Sequence, residues 1–418
     1  MTDAVEQIAA RLERLHPRLI DLSLDRLRVL LARLDHPERR LPPIIHVAGT
    51  NGKGSTCAFI RAMAEEAGLR VHVYTSPHLV RFNERIRVAG ELASDDQLIA
   101  AMERIERIND GAPITVFEVI TATAFDLFAE TPADLCVLEV GLGGRGDATN
   151  VIDAPSVCAI TSISLDHREM LGPSVDVIAR EKAGIMKRNV TVAIGAQPGE
   201  VRRVLLDHAA RVGSAVRLRG RDWDIAASAS GLRYSDEGGG FEAPMPSLPG
   251  LFQQDNAGIA ITALRVAGLP HDLAGLGRTD WPARLQRLHG RLVDLLPPDW
   301  ELWLDGGHNP GAGVVLGEHL RGWSDRPVHL VVGMKQAKDS AEFLRPLLPE
   351  ADTVWAVSEP GQHLALPVEA IIAASGGVAR PGPRVADALR AVARTGTPGR
   401  VLICGSLYLA GEVLKLDR

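Results

Sequence analysis

Apolar and polar positions in this chain of 418 residues switch repeatedly between two rhythms. Almost unbroken apolar runs at 44–48, 70–75, 135–140, 157–163 and 190–194 have the length of strands buried on both faces. Helix-length segments at 53–68, 95–108, 117–129 and 174–187 lie between them. This alternation predicts a doubly wound α/β sheet, whose ligands sit at the carboxyl ends of the strands. Residues 213–249 carry a weaker pattern rich in Gly, Ser and Asp, expected to be a small strand-containing excursion. A second α/β series begins near Leu288, with strands at 300–304, 328–332, 353–357 and 400–404 and helices at 312–321, 341–348, 386–393 and 407–414. Between the series, 268–287 holds Gly-Leu-Pro, Gly-Leu-Gly and Trp-Pro, so the linker is placed there, ending at 283–287.

Composition narrows the function classes. The chain is 46% apolar and 23% charged, with net charge −6 and the two signs interspersed, so no basic block offers a nucleic-acid footprint. No apolar run approaches the roughly 18 residues a membrane span needs. The opening MTDAVEQIAARLERLH is charged and lacks a signal-peptide core, which makes a cytoplasmic location the expectation. Cys57, Cys136, Cys158 and Cys404 are scattered without a C-x-x-C pair. The last three lie in apolar runs and read as buried, reduced thiols.

Candidate chemistry begins at VAGTNGKGST (47–56), between a predicted strand and a predicted helix. Gly49, Gly52 and Gly54 allow close backbone approach to phosphates, and Lys53 adds a point charge at the helix start. The stretch departs from G-x-x-x-x-G-K-[ST]: Val47 replaces the first Gly, and Gly54 replaces the hydroxyl that would hold Mg²⁺. An ordinary strand–helix turn is the plain alternative. Glu139, ending an apolar strand before the glycine-rich GLGGRGDATN, stands where a P-loop enzyme places a metal-binding acid. A buried structural ion pair would explain it as well. Asp166 and His167 follow the 157–163 strand, so three strand ends on one sheet edge are expected to carry Lys53, Glu139 and His167. For Lys182, in AREKAGIMK, local sequence favours a solvated surface lysine.

At these residues the chain resembles the folylpolyglutamate synthase/dihydrofolate synthase family of Mur-type ATP-dependent amide ligases. The resemblance rests on GTNGKGS (49–55), TSPHLVRFNERIRV (75–88), LEVGLGGRGDATN (138–150), LDHREMLG (165–172) and AREKAGIMK (179–187). Downstream it rests on DNAGIAITAL (255–264), HGR (289–291), DGGHNPGA (305–312) and GSLYLAGEV (405–413), with LHPRLIDLSLDRL (15–27) as a substrate-side opening. It implies a P-loop doubly wound N-terminal domain (1–284) and a smaller Rossmann-like α/β domain (285–418), with the active site in the interdomain cleft. It further implies that ATP phosphorylates a carboxylate of dihydropteroate or a reduced folate, and that L-glutamate attacks the acyl phosphate.

By the same resemblance, Gly49, Thr50, Asn51, Gly52, Lys53, Gly54, Ser55, Asn256, Arg291 and Asp305 bind the nucleotide. Ser76, Glu139 and His167 hold Mg²⁺, and Lys182, N-carboxylated from CO₂, holds a second. Lys53, Lys182 and His167 are the expected catalytic residues. Asp21, Phe117, Glu118, Gly146, Asp147 and Ala148 map to the folate side, and His308 and Ser406 to glutamate. Simpler readings remain open: a helix cap for Asn256, His308 and Ser406, and a surface ion pair for Arg291. Three positions depart from the family: Gly307 replaces an Ala, Gly146 a bulkier apolar residue, and Ala337 an acid. A monomer without nucleic-acid or membrane partners is expected. A Mur-type ligase acting on another carboxylate, or a P-loop nucleotide switch, is the alternative.

Overall fold

A computed structural model describes residues 4–12, 21–336 and 338–418; Ala337 and part of 15–27 lie outside the described residues. The chain divides into two compact units. The first comprises the chain up to Ile163, Leu171–Ser247 and Gln254–Thr279; the second comprises Ser164–Met170, Leu248–Gln253 and Asp280–Arg418.

In the first unit the apolar runs become β1 (Ile44–Ala48), β2 (Val71–Tyr74), β5 (Leu135–Glu139), β6 (Val157–Ile160) and β7 (Thr191–Ile194). With β3 (Ile86–Val88), β4 (Glu91–Leu92) and β8 (Val216–Leu218) they form, among the described residues, an eight-stranded sheet of order β4-β3-β2-β5-β1-β6-β7-β8. Pairing is parallel from β2 to β8 and antiparallel at the β3–β4 edge. Every residue of β1, β2, β5 and β6 is buried, which is why these strands read as nearly continuous apolar runs rather than alternating ones.

The helices start where local chemistry supplies caps. Ser94 and Gln97 form a reciprocal capping box for Asp95–Asn109, as Thr115 and Glu118 do for Val116–Glu130. The expected helix over 174–187 ends at Ala183. There the chain packs tightly onto a neighbouring loop: a Cβ on Gly184 would lie 2.4 Å from Arg145 Cβ. Helices Gly199–Val212 and Phe252–Ala267, and the short β3–β4 edge, are additions to the predicted elements. The weak segment resolves into an antiparallel meander of β9 (Trp223–Ala227), β10 (Leu232–Asp236) and β11 (Gly239–Ala243). Tyr234 stacks between Trp223 and Phe241.

The second unit carries β12 (Gln286–Arg287), β13 (Glu301–Leu304), β14 (Val328–Val332), β15 (Thr353–Ala356), β16 (Arg380–Pro381) and β17 (Arg400–Cys404). Their order is β12-β13-β17-β14-β15-β16, parallel except for β12. Leu316, Leu330, Val332, Phe343, Ile371 and Leu402 fill its core. The helix expected over 341–348 is only Ser340–Leu344, because Pro346 cannot continue it. All four cysteines are buried thiols. Among the described residues no helix is long and apolar enough to cross a membrane.

Candidate active site

The loop 49–52 leaves β1 and turns into helix Lys53–Glu66. Two glycines are dictated by geometry. Gly49 has φ +153° and a Cβ there would lie 1.8 Å from Thr161 Oγ1; Gly52 has φ +88° and a Cβ would lie 2.2 Å from Asn256 Oδ1. The N–H groups of Thr50 and Asn51 both donate to Ser162 O, at 2.8 and 3.3 Å, fixing the loop against the chain after β6. Gly54 lies inside the first helical turn, buried, where a metal-binding hydroxyl would otherwise stand.

The adjacent strands β1, β5 and β2 bring three predicted residues together. Lys53 Nζ is 3.9 Å from Glu139 Oε1 and donates to Thr50 O at 3.3 Å. Glu139, the last residue of β5, accepts the Ser76 N–H at 3.3 Å through Oε2. A carboxylate so buried needs such donors and a cation beside it. Its oxygens and the Ser76 hydroxyl suit a hard divalent cation that retains waters. Among the described residues no three His, Cys, Asp or Glu side chains gather as a ready metal cluster.

Lys182 corrects the local expectation of a solvated lysine. It is 5% exposed, and its Nζ donates to Gly49 O at 2.8 Å. Helix Val175–Ala183 is held against the glycine-rich loop by the Arg145 N–H to Glu181 O bond of 2.9 Å, and a Cβ on Gly144 would lie 3.0 Å from Lys182 Cα. Only packing reveals this burial, since nothing within AREKAGIMK marks the covered face.

In the glycine-rich loop after β5, Asp147 is buried and faces inward. Its Oδ1 accepts from the Thr149 N–H and Oγ1 at 3.0 and 2.6 Å, and Oδ2 from the Leu142 N–H at 2.8 Å. Burial pushes its carboxyl up, with Thr149 and the loop N–H groups pulling against that rise. Ala148 is likewise buried. Phe117 packs across Gly141, where a Cβ would lie 2.3 Å from Phe117 Cζ. Arg26, absent from the predicted set, bridges Asp21 at 2.9 Å and buried Glu118 at 3.2 Å. Its only sequence signal is its place in the same segment as Asp21. A Cβ on Gly146 would lie 3.0 Å from Leu22 Cβ, so the departure there leaves room for Leu22. Asn256 lies within helix Phe252–Ala267, not at its cap, and packs on Gly52.

Asp166 and His167 belong to the second unit and are described there. Asp166 accepts from Lys338 Nζ and from Asn309 Nδ2 at 3.0 Å, with His308 Nε2 3.5 Å away. Burial alone would raise its carboxyl; hydrogen bonding and charge from His308, then Lys338 and His167, outweigh that and hold it far below the usual carboxylate range. His167, at φ 51°, has Nε2 3.3 Å from Lys338 Nζ. Asp166, His167, Arg168, Asn309 and Lys338 line a cavity of about 370 Å³. Lys338 and Asn309 are outside the predicted set; Asn309 stands in DGGHNPGA and Lys338 follows Ala337, but no local pattern separates them from surface residues.

In the same unit, buried Asp305 accepts the Leu285 N–H at 2.9 Å and the Gly307 N–H at 2.7 Å. A Cβ on Gly307 would lie 2.9 Å from Asp305 Oδ1, a contact the glycine relieves. His308 Nδ1 is 2.9 Å from Gly306 O, and the cap of helix Pro310–Arg321 is Asn309 rather than His308. Ser406 does cap Leu407–Leu416, accepting the Tyr408 N–H at 3.1 Å. Exposed Arg291 sits on a loop clamped by Asp417, whose carboxylate accepts the Gly290 and Leu292 N–H groups at 3.1 and 2.9 Å. The Asp417 carbonyl takes the Arg291 N–H at 3.0 Å.

Comparison with known proteins matches this arrangement. The Mur ligase middle domain model matches residues 47–264, and the dihydrofolate synthetase C-terminal domain model matches 293–359. The chain is 34% identical over 412 residues to the dihydrofolate synthase/folylpolyglutamate synthase of Escherichia coli, covering 97% of this chain and 93% of that protein. It is 33% identical over 408 residues to the folylpolyglutamate synthase of Lacticaseibacillus casei, covering 93% and 92%. Escherichia coli FolC in complex with DHPP and ADP superimposes with a TM-score of 0.89 at 32% identity, covering 99% and 97% of the two chains. The bifunctional Yersinia pestis enzyme complexed with AMPPNP and Mn gives 0.88 at 33% identity, covering 99% and 98%. With glycine-shaped phosphate loop, buried acid and second α/β unit all in family order, the chain belongs to the dihydrofolate synthase/folylpolyglutamate synthase family of ATP-dependent, amide-bond-forming ligases.

Proposed function

We propose that the protein joins L-glutamate both to dihydropteroate and to tetrahydrofolate, using ATP, as a step of folate biosynthesis. The observation that carries this reading is Lys53 beside buried Glu139 at the mouth of a loop whose Gly49 and Gly52 leave no room for a side chain. A substrate carboxylate oxygen attacks the γ-phosphorus of ATP; the bond to the bridging oxygen breaks and ADP leaves. The glutamate amine then attacks the acyl carbon, loses a proton to solvent or base, and expels inorganic phosphate as the tetrahedral intermediate collapses. Such chemistry asks mainly for positioning and charge neutralisation.

Lys53 neutralises the β- and γ-phosphates, and the loop residues Gly49, Thr50, Asn51, Gly52, Gly54 and Ser55 together with Asn256, Arg291 and Asp305 hold the nucleotide. Ser76, Glu139 and His167 are assigned as Mg²⁺ ligands, the ion supplying charge neutralisation at the phosphates when bound. A second Mg²⁺ at N-carboxylated Lys182 is supported by the cost of burying an unmodified ammonium at that position. Asp21, Phe117, Glu118, Gly146, Asp147 and Ala148 form the folate side, with His308 and Ser406 toward glutamate. In this reading 1–284 supplies ATP and folate contacts, 285–418 completes the nucleotide and glutamate contacts, and the protein acts as a cytoplasmic monomer.

The test is phosphate release from purified protein with ATP, Mg²⁺ and glutamate over a panel of dihydropteroate, tetrahydrofolate and one-carbon folates. Turnover should require both a pterin carboxylate and glutamate. ATP hydrolysis indifferent to both would sink the ligase assignment, and turnover of dihydropteroate alone would remove the polyglutamylation half.

A further inference from the structure

One polar side chain interrupts the buried strand β1. His46 lies at its centre, fully buried, between the sheet neighbours β5 and β6. Its Nε2 is 2.8 Å from Thr149 Oγ1, itself buried. Thr149 Oγ1 in turn donates to Asp147 Oδ1 at 2.6 Å.

Proton accounting fixes the direction of this chain. Asp147 receives the N–H groups of Thr149 and Leu142 as well, so its carboxylate acts as the acceptor throughout. Thr149 has one hydroxyl proton and gives it to Asp147; its lone pair must therefore accept from His46. The imidazole thus carries its proton on Nε2. Buried Nδ1, with no hydrogen-bond partner among the described residues, is then a bare lone pair rather than a stranded N–H. Burial, and secondarily the charge of Lys187, hold the ring neutral, with its pKa down to about 3.

We propose that His46 and Thr149 are positioning residues for the pterin-bearing substrate: a hydrogen-bond relay from β1 through Thr149 to Asp147 sets the glycine-rich loop 141–148. The proposal rests on the assignment of that loop and Phe117 to the folate side. The same strand also delivers the phosphate loop at Gly49, one residue beyond its end. One strand therefore sets the phosphoryl-donor loop at its terminus and the acceptor's loop through a side chain. No residue of the relay need touch either substrate, apart from the contact already assigned to Asp147.

Steady-state kinetics of Thr149→Val, Thr149→Ser and His46→Leu, with Phe117→Ala alongside, tests this. Thr149→Val keeps the shape and removes the hydroxyl. It should raise the KM for dihydropteroate about tenfold, the effect of one lost buried hydrogen bond, while the KM for ATP stays within about twofold. Thr149→Ser should restore the value, and His46→Leu should behave as Thr149→Val. Ring ¹⁵N NMR should show the Nε2–H tautomer of His46 in the wild type and a displaced Nε2 resonance in Thr149→Val. If His46→Leu fails to fold, the Thr149 pair and the NMR signature still decide the matter. Equal rises in both KM values, or an unchanged dihydropteroate KM in Thr149→Val while Phe117→Ala raises it, would overturn the relay. If Phe117→Ala also leaves that KM unchanged, the folate-side assignment fails instead.

Discussion

Lys53 illustrates how a single charge acts through its surroundings. It lies at a helix start, where the helix dipole favours an anion, and Glu139 is beside it at 3.9 Å. Lys53→Ala is expected to lower turnover by about a hundredfold or more, since oxyanion-type stabilisation is its larger role, and also to lower the thermal midpoint, because buried Glu139 loses the cation beside it. Initial-rate assays with calorimetric melting check this. Lys182→Ala should abolish turnover, with partial recovery in formate or acetate; full activity without additive would remove Lys182 from the mechanism. His46 makes a stability prediction whose sign is determined. Its folded pKa of about 3 lies below its ordinary value of 6.5, so between these pH values the unfolded chain binds the extra proton. Its contribution is complete above pH 6.5 and is lost as pH falls toward 3, at up to about 1.4 kcal/mol per pH unit. Urea unfolding of the wild type at pH 7 and pH 5, set against His46→Leu, should show the variant losing less stability on acidification.

At the scale of elements, the phosphate loop depends on two glycines whose missing side chains are replaced by neighbours. Gly52→Ala meets both a positive φ and Asn256 Oδ1, and should destabilise by about 1–3 kcal/mol and weaken nucleotide binding, as measured by denaturant titration and ADP calorimetry. The Asp417 clamp on the Gly290–Leu292 loop makes a separate prediction. Asp417→Ala frees two loop N–H groups and should lower kcat severalfold through Arg291, leaving the dihydropteroate KM unaltered in the same assay. Strands buried on both faces were legible because unbroken apolar runs have few other uses. Helix Gly199–Val212 was not, since it buries only Val201, Leu205 and Ala209 and its exposed face dominates the sequence pattern. Likewise the helix expected over 174–187 is too long, because the helix-like pattern runs on past its C-cap Gly184, whose close packing on Arg145 only the tertiary structure shows.

For the molecule as a whole, local order along the chain determined a great deal. The alternation of apolar runs with helix-length segments dictated two largely parallel α/β sheets, and the glycines around Lys53 marked a tight strand–helix loop before any packing was known. Both follow from short-range physics: a strand covered on both faces must be apolar, and a loop that turns at positive φ favours glycine. Tertiary structure alone decided which polar residues are buried and with what partners. It placed Lys182 under the phosphate loop, turned Asp147 inward as the organiser of its own loop, and joined Asp166 to Lys338, His308 and Asn309. It also gave His46 a partner 103 positions away. Those pairings depend on contacts between distant segments, and the cost of an unpaired buried polar group is what selects them.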